Sequence, residues 1–228
     1  SPLTFGKIEK LEELFSLIKS LDLNILTVFS DNLSLEKIKN STSAELNLVL
    51  SYEGLALAKY MEKEFSIPYI IINVVSKYGI ENTENILKNY FYKMNNSFEN
   101  LEKKDKLDDR KVMIIASPFM AINTAESLRK DFTFDNILAL SFIKESRKFK
   151  KVEYLEFLNI VNTEEDLKEK IKEYKPDILI SDPVYKNLVN EEITFIPLLH
   201  YGYSTRLYLE LDYEYCGKKA YEYFKKFI

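Results

Sequence analysis

The sequence predicts an α/β protein of two successive three-layer modules with parallel sheets, joined by a long helix. Three observations predict it. Within Ala44–Gly79 the chain reads AELNLVLSYEGLALAKYMEKEFSIPYIIINVVSKYG, an apolar run, a helical stripe and a second β-branched run with almost no slack between them. A strand, a crossover helix and a strand of this length form a βαβ unit, which requires a parallel sheet covered on both faces. The same alternation resumes at Val112, after the charged stretch Glu102–Lys111 (EKKDKLDDRK), which reads as an exposed boundary.

Taken in order, Lys7–Ser20 carries Ile8, Leu11, Phe15 and Ile18 on one helical face, and Leu23–Phe29 has the apolar character of a strand. Leu35–Asn40 is a short helix and Glu45–Ser51 a buried strand. Leu57, Ala58, Met61 and Phe65 recur at helical spacing until Ser66-Ile67-Pro68, where the residue before proline is forced out of the α region. Tyr69–Val75 is the next strand and Ser76–Gly79 a turn. A long helix from about Asn82 to Leu101 keeps Leu87, Tyr90, Met94, Phe98 and Leu101 in register.

The second half opens with strand Val112–Ala116 and Ser117-Pro118, then helix Ala121–Lys130, with strands near Asn136–Ile143 and Tyr154–Val161. Asn162 with Glu165 forms a capping box for helix Glu164–Tyr174. Asp177–Ile180 is a strand, Tyr185–Asn190 a short helix, Thr194–Leu199 a strand and Gly217–Phe227 a final helix. The expected modules are residues 1–105, ending in the linking helix, and 106–228, both Rossmann-like. The first opens on a helix where an α/β unit opens on its central strand, so it is expected to lack that strand. With a Ser-Pro start, the chain is expected to be part of a longer protein.

Composition narrows the chemistry. Of 228 residues, 46% are hydrophobic and 30% charged, enough for a core and a solvated surface, and no apolar run reaches the ~18–20 residues of a membrane span. No basic-then-apolar leader is visible, and one cysteine, Cys216, fits a reducing, cytoplasmic setting. A net charge of −4 argues against nucleic acid, and the basic cluster Lys144–Lys151 reads as a solvated loop. Five scattered glycines permit no phosphate-cradling glycine loop. With one histidine, His200, and one cysteine, no histidine pair or cysteine-built metal site is possible within the chain. The 15 Phe and 16 Tyr are read as core filling.

Ligands of open parallel sheets sit beyond the carboxyl ends of the strands. The candidate loops are Ser30–Asn32, Ser51–Gly54, Val75–Gly79, Ser117–Phe119, Ser181–Pro183 and His200–Thr205. His200 offers an imidazole at a strand end, as a metal or ligand contact or as a hydrogen-bonded structural residue. Ser51 with Glu53, and Asp182 with Tyr185, stand where they contact a polar ligand or cap the next helix. Arg206 among Tyr201, Tyr203 and Tyr208 suits a carboxylate or a subunit interface. Cys216 reads as a small buried residue.

Four ordered landmarks resemble the nitrogenase component 1 family, which includes nitrogenase subunits, cofactor-assembly scaffolds and tetrapyrrole reductases. Ala44–Val49 (AELNLV) is similar to the family's A-x-x-N-L-V strand. Phe65-Ser66-Ile67-Pro68-Tyr69 resembles F-G-I-P-Y, with serine where glycine is usual. Pro176–Ile180 (PDILI) is similar to P-D-L-I-I, and Tyr215-Cys216-Gly217 to G-Y-x-G, with Glu214 replacing the first glycine. The resemblance covers the family's second and third domains over nearly the whole chain. It implies repeated chelatase-like α/β domains enclosing a metallocofactor, iron–sulfur cluster or tetrapyrrole. It also implies pairing with a like component-1 subunit and electrons from an ATP-dependent iron–sulfur reductase protein.

Two of the family's cofactor ligands map by that resemblance. The cysteine after the N-L-V strand in nitrogenase α subunits falls at Ser51, a poor ligand for a soft metal. The family's late histidine falls at His200. The resemblance thus implies cofactor contacts at His200 and Ser51, metal contact at His200, no cofactor held by this chain alone, and no nitrogen reduction; Arg206 is a further cofactor contact expected from its own chemistry, as a grip on a carboxylate. The expected function is part of a nitrogenase-like oxidoreductase subunit, inert alone. Two other classes fit the same residues: a two-lobed metal-chelate binding module, and a catalytically silent cofactor-assembly scaffold.

Overall fold

The computed structural model describes residues 6–30, 33–94, 107–142, 156–202, 204 and 213–228. It is an α/β protein with parallel sheets, divided into two compact units: Ser1–Leu101 with Glu214–Ala220, and Glu102–Tyr213 with Tyr221–Ile228.

In the first unit a 3-10 turn, Ile8–Leu11, leads into helix α1, Glu12–Ser20. Leu11, Leu14, Leu17 and Ile18 are buried along one face, while Glu12 and Glu13 in the first turn and Lys19 in the last complement the helix dipole. Leu23–Phe29 forms no strand, contrary to the expectation from its apolar run; Ile25 and Leu26 remain 43% and 46% exposed. An apolar run supplies strand preference, but a strand exists only where a neighbour pairs with it, and none of the described residues does. Helix α2, Leu35–Asn40, starts where Ser34 accepts the Lys37 N–H at 3.2 Å.

Strand β1, Asn47–Val49, pairs in parallel with β2, Tyr69–Ile71, in the register Asn47 with Tyr69. Between them runs α3, Tyr52–Phe65, burying Leu55, Ala58 and Met61. The buried stripe is turned relative to the sequence reading, since Phe65 is 45% exposed. The helix closes at Ser66, held at φ +57° in the left-handed region that glycine enters without penalty. This explains why the resembling motif has glycine there. Ser66→Gly is expected to stabilise the unit by about 0.5 kcal/mol, read as a rise in urea midpoint; the gain is small because glycine also loosens the unfolded chain.

Helix α4, Ser76–Tyr92, begins at Ser76 rather than at Asn82, so Ser76–Gly79 is its first turn, not a loop. Asn73 makes this possible: its Oδ1 accepts the Val75 N–H at 2.8 Å and its carbonyl accepts the Thr83 hydroxyl. A Cβ on Gly79 would sit 2.8 Å from that Oδ1, so the turn requires glycine. The helix stops at Lys93 in the left-handed conformation, and the rest of the expected span, with Phe98 and Leu101, lies outside the described residues.

The second unit is a five-stranded parallel sheet. Its strands are β3 (Val112–Ile115), β4 (Ile137–Ser141), β5 (Asn159–Ile160), β6 (Ile178–Ser181) and β7 (Thr194–Pro197), in spatial order β5-β4-β3-β6-β7. β3 and β6 are buried at every position, as near-continuous apolar strands of a doubly covered sheet must be. On one face Met113, Ile115, Leu140 and Leu179 form a core with Leu167 and Ile171 of α6, Glu164–Tyr174. Helix α5, Pro118–Phe132, starts with proline at its first turn, where a missing N–H is harmless.

The cap of α6 is shifted by one residue from the expected Asn162–Glu165 box: Thr163 accepts the Asp166 N–H at 3.1 Å, and the Asp166 carboxylate accepts the Asn162 N–H at 3.0 Å. A one-carbon-shorter acid thus closes the box back onto the residue before the cap. The expected helix at Tyr185–Asn190 is instead a 3-10 turn, Pro183–Leu188. The basic cluster Lys144–Lys151 lies outside the described residues. Helix α7, Gly217–Lys225, gives its first turn to the first unit and its remainder to the second.

Candidate functional site

The chain winds from β3 to β4 to β5 towards one edge of the second sheet, then returns to place β6 and β7 on the other side of β3. The winding therefore reverses between β3 and β6, and the crevice at the carboxyl ends of those strands is where such sheets bind ligands. Ser117 and Pro118 leave β3 there, Asp182 and Pro183 leave β6, and Leu198–Ser204 follows β7.

Asp182 organises these loops. It is 1% exposed, and its carboxylate accepts from three donors: the Val184 N–H at 3.0 Å, the His200 N–H at 2.8 Å and the Ser204 hydroxyl. The first is the helix-capping role read from the sequence. The other two tie the loop after β7 to the turn after β6, which sequence reading missed. Ser204 is itself fully buried, and its N–H donates to the His200 carbonyl at 3.1 Å, so His200 and Ser204 bond to each other and to the same carboxylate.

His200 is thereby fixed beyond the carboxyl end of β7, beside the turn that follows β6. Its Nδ1 accepts the Gly202 N–H at 3.2 Å. A neutral imidazole that accepts at Nδ1 carries its proton on Nε2, so the second nitrogen is a donor. A metal bound through Nε2 calls for the opposite tautomer, with a lone pair on Nε2 and the proton on Nδ1. Among the described residues, no three His, Cys, Asp or Glu side chains converge as a metal site. The hydrogen bond from the Gly202 N–H to Nδ1 therefore favours a proton on Nε2, the tautomer that suits a hydrogen-bond acceptor rather than a metal at that nitrogen.

The remaining candidates separate. Ser51 lies in the first unit at the end of β1, 2% exposed, and its side chain makes no capping hydrogen bond although it precedes α3. Glu53, next along, is exposed in the first turn of α3. Arg206, Tyr203 and Tyr208 lie outside the described residues. Tyr201 donates to the Tyr213 carbonyl at 3.2 Å, and Tyr213 packs on Tyr223 at 4.2 Å, so this part of the tyrosine cluster braces the loop. Cys216 is buried, and burial pushes its thiol up to about 12, leaving it protonated and unreactive at neutral pH.

A parallel sheet whose winding reverses between β3 and β6 defines an α/β framework of the doubly wound kind. The family model for nitrogenase component 1 type oxidoreductases matches residues 1–215, and the chain belongs to that family. It is 27% identical over 188 residues to one subunit of the light-independent protochlorophyllide reductase of Crocosphaera subtropica, covering 80% of this chain and 36% of that protein. It is 38% identical over 71 residues to the nitrogenase iron-molybdenum cofactor biosynthesis protein NifE of Clostridium pasteurianum, covering 31% of this chain and 15% of that protein. The solved structure "Nitrogenase Cp1 at pH 5" superimposes with a TM-score of 0.67 at 15% identity, over 97% of this chain and 54% of that one, which shows a shared fold. The chain thus spans about a third of the reductase polypeptide it matches. Among the described residues no helix is long and apolar enough to cross a membrane.

Proposed function

We propose that this chain is the C-terminal part of a nitrogenase-like oxidoreductase subunit whose substrate is a tetrapyrrole or a metallocofactor, reduced with electrons from an ATP-dependent iron–sulfur partner. The observation that supports this reading is the Asp182 carboxylate, which accepts the His200 N–H at 2.8 Å beyond the carboxyl end of β7, where Nδ1 accepts the Gly202 N–H and Nε2 is proposed to carry the proton. Such a donor suits a carbonyl or carboxylate on a macrocycle's rim, and Arg206, a few residues beyond His200, is proposed to add a charged contact. The tetrapyrrole reading also draws on the protochlorophyllide reductase polypeptide, which matches along most of this chain.

The redox centre belongs elsewhere in the assembly on this reading. Iron–sulfur clusters are held by several thiolates, and this chain's one cysteine is buried and protonated. The chain acts within a complex with a like or related component-1 subunit in the cytoplasm and is inert alone. Ser51 is proposed to line the cofactor side of the first unit. A second reading, a silent cofactor-assembly scaffold, is favoured by serine at position 51 and by the local similarity to NifE.

The test uses the full-length parent purified without oxygen. Iron and acid-labile sulfide in that preparation are expected for the reductase; their absence would leave the scaffold. His200→Ala is expected to weaken retention of the co-purifying chromophore about tenfold, as visible absorbance, by deleting one hydrogen bond. His200→Gln, which keeps an N–H donor, is expected to restore most of it. Equal loss in both variants would overturn the donor role.

A further inference from the structure

β7 is an edge strand of the second sheet, with β6 on one side of it. Its Thr194 and Leu198 N–H groups donate to the Asp177 and Ser181 carbonyls at 3.0 and 2.8 Å, both on the side of β6. Alternate residues of a strand turn their backbone groups to opposite edges, so the Pro197 carbonyl faces away from the sheet. Proline suits that place, because an outer edge asks for no N–H. The carbonyl still needs a donor, and the Tyr223 hydroxyl of α7 donates to it at 2.7 Å.

Tyr223 is 3% exposed, and its ring is held on two sides. It packs on Tyr213 at 4.2 Å and meets Phe227 edge-on at 5.3 Å. The Tyr213 carbonyl in turn accepts from the hydroxyl of Tyr201, the residue after His200. A closed circuit results. It runs from the Pro197 carbonyl to the Tyr223 hydroxyl, across the paired rings to Tyr213, and from the Tyr213 carbonyl to Tyr201. His200 lies inside it, three residues after Pro197 and one before Tyr201, while Asp182 accepts its N–H. Loops that follow strands are ordinarily the more mobile parts of a fold. Here two tyrosine hydroxyls, each spent on a backbone carbonyl, bracket one histidine, as the supporting shell of a binding residue must.

We propose that Tyr223 is a positioning residue for His200. It acts through the backbone, by fixing where β7 ends and hence where the imidazole is presented. Its part in binding rests on the reading of His200 as a ligand contact.

The variant is Tyr223→Phe, which deletes the hydroxyl and keeps the ring on Tyr213. His200 is the chain's one histidine, so ¹⁵N-labelled histidine gives one pair of ring signals from the 228-residue chain. Losing one hydrogen bond loosens the loop, and the separation of the two signals is expected to shrink by about a third as the ring samples its second tautomer. Tyr201→Phe, which deletes the bond at the other end of the circuit from a half-buried side chain, is expected to do the same. In the full-length complex Tyr223→Phe is expected to lower chromophore retention about fivefold, and to add no further loss to His200→Ala. If His200→Ala alone keeps the chromophore, the reading of His200 as a contact falls, and the ring signals still decide whether Tyr223 holds it. Ring signals unchanged in both tyrosine variants would overturn the proposal. So would a full fivefold loss from Tyr223→Phe in the His200→Ala background, which would make Tyr223 a packing residue.

Discussion

Replacing Asp182 with alanine is expected to destabilise the second unit by about 3–5 kcal/mol, because three donors then lose their acceptor in a buried site. The Val184 and His200 N–H groups are fixed by the backbone and cannot turn to water; only the Ser204 hydroxyl can rotate. Asp182→Asn is the informative companion. Its oxygen still accepts from Val184 and Ser204, but its amide nitrogen meets the His200 N–H as donor against donor, so an intermediate loss of about 2 kcal/mol is expected. Urea unfolding followed by circular dichroism measures both. A loss below about 1 kcal/mol for the alanine variant would show that His200 and Ser204 hold their places without the carboxylate. In the full-length complex the same variants are expected to lower chromophore retention through His200, whose backbone N–H loses its acceptor.

Gly217→Ala is expected to destabilise the first unit by about 2 kcal/mol, and the cause is local. Gly217 has φ +58°, where a side chain is strained by about 1–2 kcal/mol, and its Cβ would land on the carboxylate of Glu13. That carboxylate accepts the Lys218 N–H at 2.9 Å at the exposed start of α7, while the Gly217 N–H donates to the Val74 carbonyl at 3.0 Å. Displacing Glu13 forfeits the first of these bonds. Glu13→Ala alone is expected to lose about 1 kcal/mol, and the double variant less than the sum, since the alanine at 217 has already removed the same contact. Strict additivity in a double-mutant cycle would refute the steric account.

The sequence made some of this legible and hid the rest for physical reasons. Val112–Ile115, Ile178–Ser181 and Thr194–Pro197 are strands largely where their apolar runs lie, since a doubly covered strand writes itself as unbroken burial. Helix Glu164–Tyr174 matches its expected bounds from its periodicity, although its cap is Thr163 and not the expected Asn162. Leu23–Phe29 misled because composition reports preference and not the presence of a neighbour. Ser76–Gly79 looked like a turn, yet Asn73 and the missing Cβ of Gly79 let it start a helix. At the site, the strand-end position of His200 was readable. The Asp182–Ser204 pairing was not, because it joins residues 22 apart that meet once β6 and β7 lie side by side.

Because Glu214–Ala220 belongs to the first unit, biosynthesis meets a delay. Cys216 and Gly217 reach back to Leu14 and Val74 from far along the polypeptide. A nascent chain leaving the ribosome therefore cannot finish its earlier-made half until the codons for these late residues have been read. That half is exposed to chaperones and proteases while the intervening sheet is translated, whereas the sheet itself closes from segments that emerge close together in time.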